Sequence, residues 1–266
     1  MEKQQNAINM QSQKKKYPSE IVALPSGGRF YDKASPLSSG NIELKIPTAA
    51  QEDILTSKNL IQKGIVIDEF IKSIILGNVN YNDILLGDKN GLLIASRILL
   101  YGPEYEVSYK CPNCTEQNKL KIDISELKIK EINKDNTPNS DNEFDFVLPM
   151  SKHNIKFKLL RHSDEIGINN MLKQMKKYMT GGVTSEITTR LAHVITEIDG
   201  ERGFHAIEKF VKNDMTARDS RALRMKLAEV TPGMDTDVDF VCNSCAYEQT
   251  ISLPMDISFF WPGGQI

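Results

Sequence analysis

The chain has 266 residues, of which 40% are hydrophobic and 26% charged, and its net charge is −2. That length can bury a core without covalent staples, and the near-neutral balance lacks the basic excess of a nucleic-acid binder. No apolar run reaches the length of a membrane span; the best, residues 91–101, is too short and contains Arg97.

The opening "MEKQQNAINMQSQKKK" has no apolar centre and does not read as a secretory signal. Folding in a reducing cytoplasm is therefore expected, where structural disulfides are uncommon. Residues 1–19, polar and ending near Lys14, Lys15 and Lys16, are expected to be an arm that orders on a partner. Residues 20–103 read as a β and helical region. Pro25, Gly27 and Gly28 mark a turn, and "NIELKI" alternates as a strand with Ile42, Leu44 and Ile46 on one face. Thr48 is placed to cap a helix carrying Glu52 and Asp53 in its first turns. "SKNLIQKG" and "VIDEFIKSIILG" predict two more helices, the second with a stripe of Ile67, Phe70, Ile71, Ile74 and Ile75. "YNDILLGDKNGLLIASRILLYG" reads as two short helices interrupted between Gly87 and Gly91.

From Glu104 the hydrophobic period changes to two. "EYEVSYKCPNC" and "NKLKIDI" predict a β-hairpin with Cys111 and Cys114 at its tip, within residues 104–128. Residues 129–236 form an insert. Its polar loop over 130–143 precedes a strand pair, "FDFVLP" and "NIKFKLL". Helices follow at about 164–179, 184–198, 203–212 and 217–229, the last opening on a capping pattern of Thr216 with Asp219. Residues 237–254 then return to hairpin periodicity around Cys242 and Cys245.

The two cysteine hairpins are a pseudo-repeat. Aligning Cys111 with Cys242 and Cys114 with Cys245 also aligns Val107 with Val238, Tyr109 with Phe240, Leu120 with Ile251 and Ile122 with Leu253. Two such knuckles predict one tetrahedral four-cysteine zinc site, a zinc ribbon. Ribbon pairs usually stand some 15–20 residues apart, whereas 127 residues lie between Cys114 and Cys242, so the insert must return to its origin. A thioredoxin-type dithiol would need a helix after each pair, and neither has helical periodicity behind it. Four thiolates leave no open coordination position, so the Zn2+ expected here is structural.

No catalytic constellation emerges. His153, His162, His193 and His205 are scattered, and His193 sits on an apolar helix face as a structural residue would. "SGG" at Ser26 lacks the Lys-Ser/Thr of a phosphate loop, and "GDKNG" lacks the spaced ligands of a calcium loop. Residues 255–266 end in Phe259, Phe260 and the single Trp, Trp261. They are expected either to cover the protein's own core or to form an extended tail that binds a partner.

The ordered set "LPSGGRFY", "IELKIPTAAQEDILTS", "DILLGDKNGLLIASRILLYG" and "EYEVSYKCPNC" with the late "CNSC" resembles the baseplate hub and hub-assembly proteins of T-even-like contractile-tailed phages. The resemblance runs from about Ile21 to the C-terminus. It implies a structural component of the virion's tail baseplate, or an assembly factor for it, built in the host cytoplasm. Its implied partners are other baseplate, hub and tail proteins, with no small-molecule substrate, nucleic acid or membrane. The metal ligands carried over are Cys111, Cys114, Cys242 and Cys245, and no catalytic residue is carried over. The expected fold is α+β: a helical body, small antiparallel β-hairpins and a discontinuous four-cysteine zinc ribbon. The runner-up from another class is a zinc-ribbon adaptor binding nucleic acid, which the charge balance disfavours.

Overall fold

A computed structural model describes residues 18–132, 138–139, 142–178, 185–255 and 257–261. The chain opens with β1 (Ser19–Ala23), antiparallel to β2 (Asn41–Lys45). Alternation along β2 sends Ile42 and Leu44 into the core, but the strand stops at Lys45 and Ile46 stays 37% exposed. The expected arm lies outside the described residues as far as residue 17. Its last residue, Ser19, already pairs with Lys45 and needs no partner to order it. The connecting turn needs glycine at Gly28, where φ is +79° and a Cβ would come within 2.4 Å of the Ser38 carbonyl oxygen.

Three short helices follow: α1 (Ala49–Leu55), α2 (Lys58–Lys63) and α3 (Val66–Ile74). Thr48 precedes α1 as expected, and Gln51 Oε1 accepts from its N–H at 3.0 Å. On α3, Phe70, Ile71 and Ile74 are completely buried.

The next segment departs from the sequence reading. Leu86–Tyr101 is one continuous 16-residue helix, α4, and not two. The glycines at the expected break are contact points. A Cβ on Gly87 would lie 1.8 Å from the Pro232 carbonyl oxygen, and one on Gly91 would lie 2.7 Å from the Pro25 ring. Each glycine costs a helix about 1 kcal/mol relative to alanine; here both let two loops close onto the helix. Between them, buried Asp88 accepts from the Ser26 N–H at 2.7 Å, the Ser26 hydroxyl at 2.7 Å and the Tyr31 hydroxyl at 2.6 Å. The side chain in "GDKNG" thus fastens the "SGG" turn to α4.

The first cysteine hairpin is β3 (Glu104–Lys110) with β4 (Gln117–Asp123). In the insert, β5 (Glu143–Val147) and β6 (Asn154–Lys158) pair as predicted. Then come α5 (His162–Tyr178) and α6 (Glu186–Val194). The helix expected over 184–198 ends at Val194, because Ile195–Ile198 turns into a strand, β7, on the free edge of β6. Its "ITEI" begins with two β-branched residues, which suit a pleated surface better than a helix. The sheet order is β5-β6-β7. Helices α7 (Phe204–Asn213) and α8 (Ala217–Val230) complete the insert. Thr216 caps α8 through the Asp219 N–H at 3.2 Å. Buried Asp219 also accepts from the N–H groups of Met150 and Ser151, at 2.7 and 3.2 Å, tying α8 to the β5–β6 turn. The second cysteine hairpin, β8 (Asp237–Val241) with β9 (Glu248–Ser252), brings the chain back.

One apolar cluster runs through the N-terminal helices, the inserted sheet and helices, and the C-terminal aromatics. The fold is therefore α+β, with a helical body and small antiparallel sheets. Phe259, Phe260 and Trp261 do not form an extended tail. They are buried in this core at the end of a 3-10 turn, Ile257–Phe260. Phe260 meets Phe70 edge to face at 5.6 Å, and Phe259 meets Tyr105 at 5.0 Å. All three rings thus cover the chain's own core. Residues 262–266 lie outside the described residues. Among the described residues no helix is long and apolar enough to cross a membrane.

Candidate metal centre

The two knuckles have the same backbone. In the first, the Cys111 N–H donates to the Glu116 carbonyl and the Thr115 N–H to the Cys111 carbonyl, both at 2.9 Å. In the second, the Cys242 N–H donates to Tyr247 at 2.9 Å and the Ala246 N–H to Cys242 at 3.0 Å. Thr115 and Ala246 occupy equivalent positions, and both have positive φ, 63° and 54°. Two non-glycine residues held in the left-handed region at the same place mark a turn imposed by what it presents. What each turn presents is a pair of sulfurs.

All four ligand atoms of Cys111, Cys114, Cys242 and Cys245 lie within 4.8 Å of one another. Two approaches cross between hairpins: Cys111 to Cys245 at 3.7 Å and Cys114 to Cys242 at 3.6 Å. Four thiolates at about 2.3 Å from a central ion would form a tetrahedron with edges of about 3.8 Å. The cluster therefore fits a four-coordinate metal ion with little rearrangement. It does not consist of two independent pairs.

The electrostatics point the same way. Burial raises the Cys242 thiol, but the N–H groups of Cys245 and Ser244, with the Cys114 and Asn118 side chains, bring it down to about 6. Cys245 is lowered by the Asn113 side chain and then by the Tyr247 N–H. Cys114 moves the other way, to about 12: the Glu116 N–H lowers it, but burial and the three neighbouring sulfurs outweigh that. Crowded sulfurs cannot all ionise unaided, and a divalent cation at their centre removes the conflict.

Polar groups that the sequence reading passed over lock the hairpins together. Asn118, buried on β4, donates from Nδ2 to Cys242 Sγ at 3.6 Å, and its Oδ1 accepts from the Asn243 N–H at 2.9 Å. Its counterpart in the repeat, Gln249, reaches the other way and donates to the Tyr109 hydroxyl at 2.8 Å. The signal was available, since Asn118 and Gln249 sit opposite the aromatics Tyr109 and Phe240 in the two hairpin registers. Those aromatics meet edge to face at 4.7 Å. Of the histidines, His193 is structural as expected: its Nδ1 lies 2.9 Å from the Thr189 carbonyl oxygen.

Arg97, the charge within the longest apolar run, fastens the ribbon to the body. It is 2% exposed. Its guanidinium donates to three carbonyls: Phe259 at 3.1 Å, Gly102 at 2.9 Å and Glu104 at 3.2 Å. Burial lowers its pKa, but an arginine keeps its charge in proteins. It thereby joins the C-terminal end of α4, the first residue of β3 and the closing segment of the chain.

The family model described as "T4 bacteriophage base plate protein" matches residues 19–261. The chain belongs to this baseplate family. The match begins at the first residue of β1 and ends at Trp261, so it takes in the body, the insert and both knuckles. No curated protein and no solved structure matches the chain. A phage baseplate protein acts by contact with other baseplate proteins, and the cysteine cluster is a candidate for holding its own chain in shape.

Proposed function

We propose that the chain is a structural subunit of the hub region of a contractile-tail baseplate, held in shape by one Zn2+ on Cys111, Cys114, Cys242 and Cys245. The family match over 19–261 carries this reading. The cysteine cluster supports its second half, because four sulfurs within 4.8 Å of one another leave a bound ion no open position for water or substrate. An ion so enclosed contributes folding energy and no chemistry. The protein is accordingly a non-enzymatic component that works through protein contacts in the virion tail, and it is assembled in the host cytoplasm.

Mass spectrometry of purified particles tests the first half, and the chain is expected among the baseplate proteins. Its absence from finished particles, with presence in assembly intermediates, would make it an assembly chaperone instead. Elemental analysis tests the second half, with one zinc per chain expected. Half that amount or less in fully loaded protein, or an intact mass showing two disulfides, would overturn the zinc assignment.

A further inference from the structure

A groove of about 280 Å³ opens between the start of α4, α6 and α8. Leu86, Ile187, Leu191, Val194 and Leu227 line it, together with Arg224. Clefts for cofactors and drug-sized ligands run from about 300 to 1,000 Å³, so this one suits one or two side chains better than a small molecule. Ile187 is 50% exposed at its edge, and Met225 is 63% exposed on α8.

The groove's lining also carries Glu186 and Arg190, which pair with one another, and the excess charge lies on α8. Arg218, Arg221 and Arg224 follow one another at intervals of three along α8 and are all exposed. None of the three has an ion pair among the described residues. The nearby carboxylates are already engaged: Glu165 with Arg190 at 2.9 Å, Glu186 with Arg190 at 3.3 Å and Glu229 with Lys226 at 3.1 Å. The face thus offers an apolar slot beside a row of uncompensated guanidinium groups. Guanidinium forks match carboxylates bidentately. A nucleic acid would satisfy the charges but leave the apolar slot empty.

We infer that this groove is the docking site for an acidic amphipathic helix of another baseplate protein, with an apolar side chain in the slot and Asp or Glu residues within one turn of it facing Arg221 and Arg224. The inference rests on the baseplate reading and names the chemistry of one contact within it. The groove presents i, i+3 and i+7 spacing along α8 and its C-cap through Arg224, Leu227 and Thr231, the geometry with which one helix receives another.

The test uses the full chain in infected cells. A benzophenone amino acid is placed at Ile187, the cells are irradiated, and the crosslinked peptide is identified. The expected peptide comes from a different baseplate protein and has an apolar residue flanked within one turn by Asp or Glu. Double charge reversal, Arg221→Glu with Arg224→Glu, is then expected to lower incorporation at least about tenfold. It should leave the thermal midpoint unchanged, since both side chains are exposed. Changing the flanking acidic residues of the crosslinked partner to Lys should restore incorporation. A crosslink only to a second copy of this chain or to nucleic acid, no crosslink above the unirradiated level, or normal incorporation of the reversed chain would overturn the inference. If the wild-type chain is missing from finished baseplates but crosslinks to an acidic baseplate segment during assembly, the subunit reading falls and this one stands.

Discussion

The ribbon and the body are held together by different physics. The body buries whole aliphatic and aromatic side chains from the N-terminal helices, the insert and the chain's end in one cluster. The ribbon's own buried set is Cys111, Phe240, Cys242 and Ile251, half of it sulfur. At about 25 cal/mol per Å² of apolar surface, the body's burial can offset the entropy of ordering it. Two hairpins sharing so small an apolar cluster cannot do so, since an isolated hairpin is marginal in water. The ribbon's polar bonds, Asn118 to Asn243 and Gln249 to Tyr109, specify how the hairpins meet. The ion is expected to supply the energy.

The comparison breaks most sharply at the metal. Structural zinc in small domains contributes roughly 10–16 kcal/mol of apparent binding free energy. Cys111→Ser and Cys242→Ser should therefore lower the thermal midpoint equally, because either leaves the same incomplete site. Hydrogen exchange should show loss of protection in residues 104–123 and 237–252 ahead of the body. A loss confined to the mutated hairpin would mean that the pairs act separately.

A smaller effect is expected from the body. Phe260→Ala removes a ring that is 1% exposed and packed on Phe70. It should cost about 3–5 kcal/mol, read from the urea midpoint. Metal content should stay at its wild-type value; metal lost in step with unfolding of the body would show the two regions to be one cooperative unit.

The smallest expected effect is a pH dependence of the body alone. His162, buried at the start of α5, has its pKa lowered from 6.5, first by burial and then by Lys89, with Lys72 adding to this and Asp68 and Glu165 opposing. Its ring packs edge to face on Tyr81 at 4.6 Å. The folded state thus keeps His162 neutral while the unfolded chain protonates it. Stability should therefore be full above pH 6.5 and fall as the pH drops below it, by at most about 1.4 kcal/mol per pH unit. His162→Gln should flatten that slope in urea titrations between pH 5 and 7. An unchanged slope would assign it elsewhere.

How far the sequence could be read follows the same division. The hairpins were legible because alternation and cysteine spacing are local, and the repeat supplied an internal control. The expectation of one four-cysteine site followed from that repeat and spacing. The body was less legible wherever tertiary contacts override local preference. Gly87 and Gly91 look like helix breakers until Pro232 and Pro25 are seen against them. Ile195–Ile198 continues a helical pattern until β6 offers it an edge. Phe259, Phe260 and Trp261 read equally well as core or as contact, and only Phe70 and Tyr105 beside them decide it. In the sequence Arg97 argues only against a membrane span, because its carbonyl partners lie up to 162 positions away.

The division of the cysteine cluster across the chain also sets an order in time. Cys114 and Cys242 stand 128 positions apart. At about 5–20 residues per second of synthesis, the first knuckle leaves the ribosome roughly ten seconds before the second. During that interval Cys111 and Cys114 are without their two partners, while the inserted sheet and helices emerge between the knuckles. Only a chain translated past Cys245 has all four cysteines, and a product terminated before it also lacks Phe259, Phe260 and Trp261 of the core. Metal retention is therefore expected to separate finished chains from fragments.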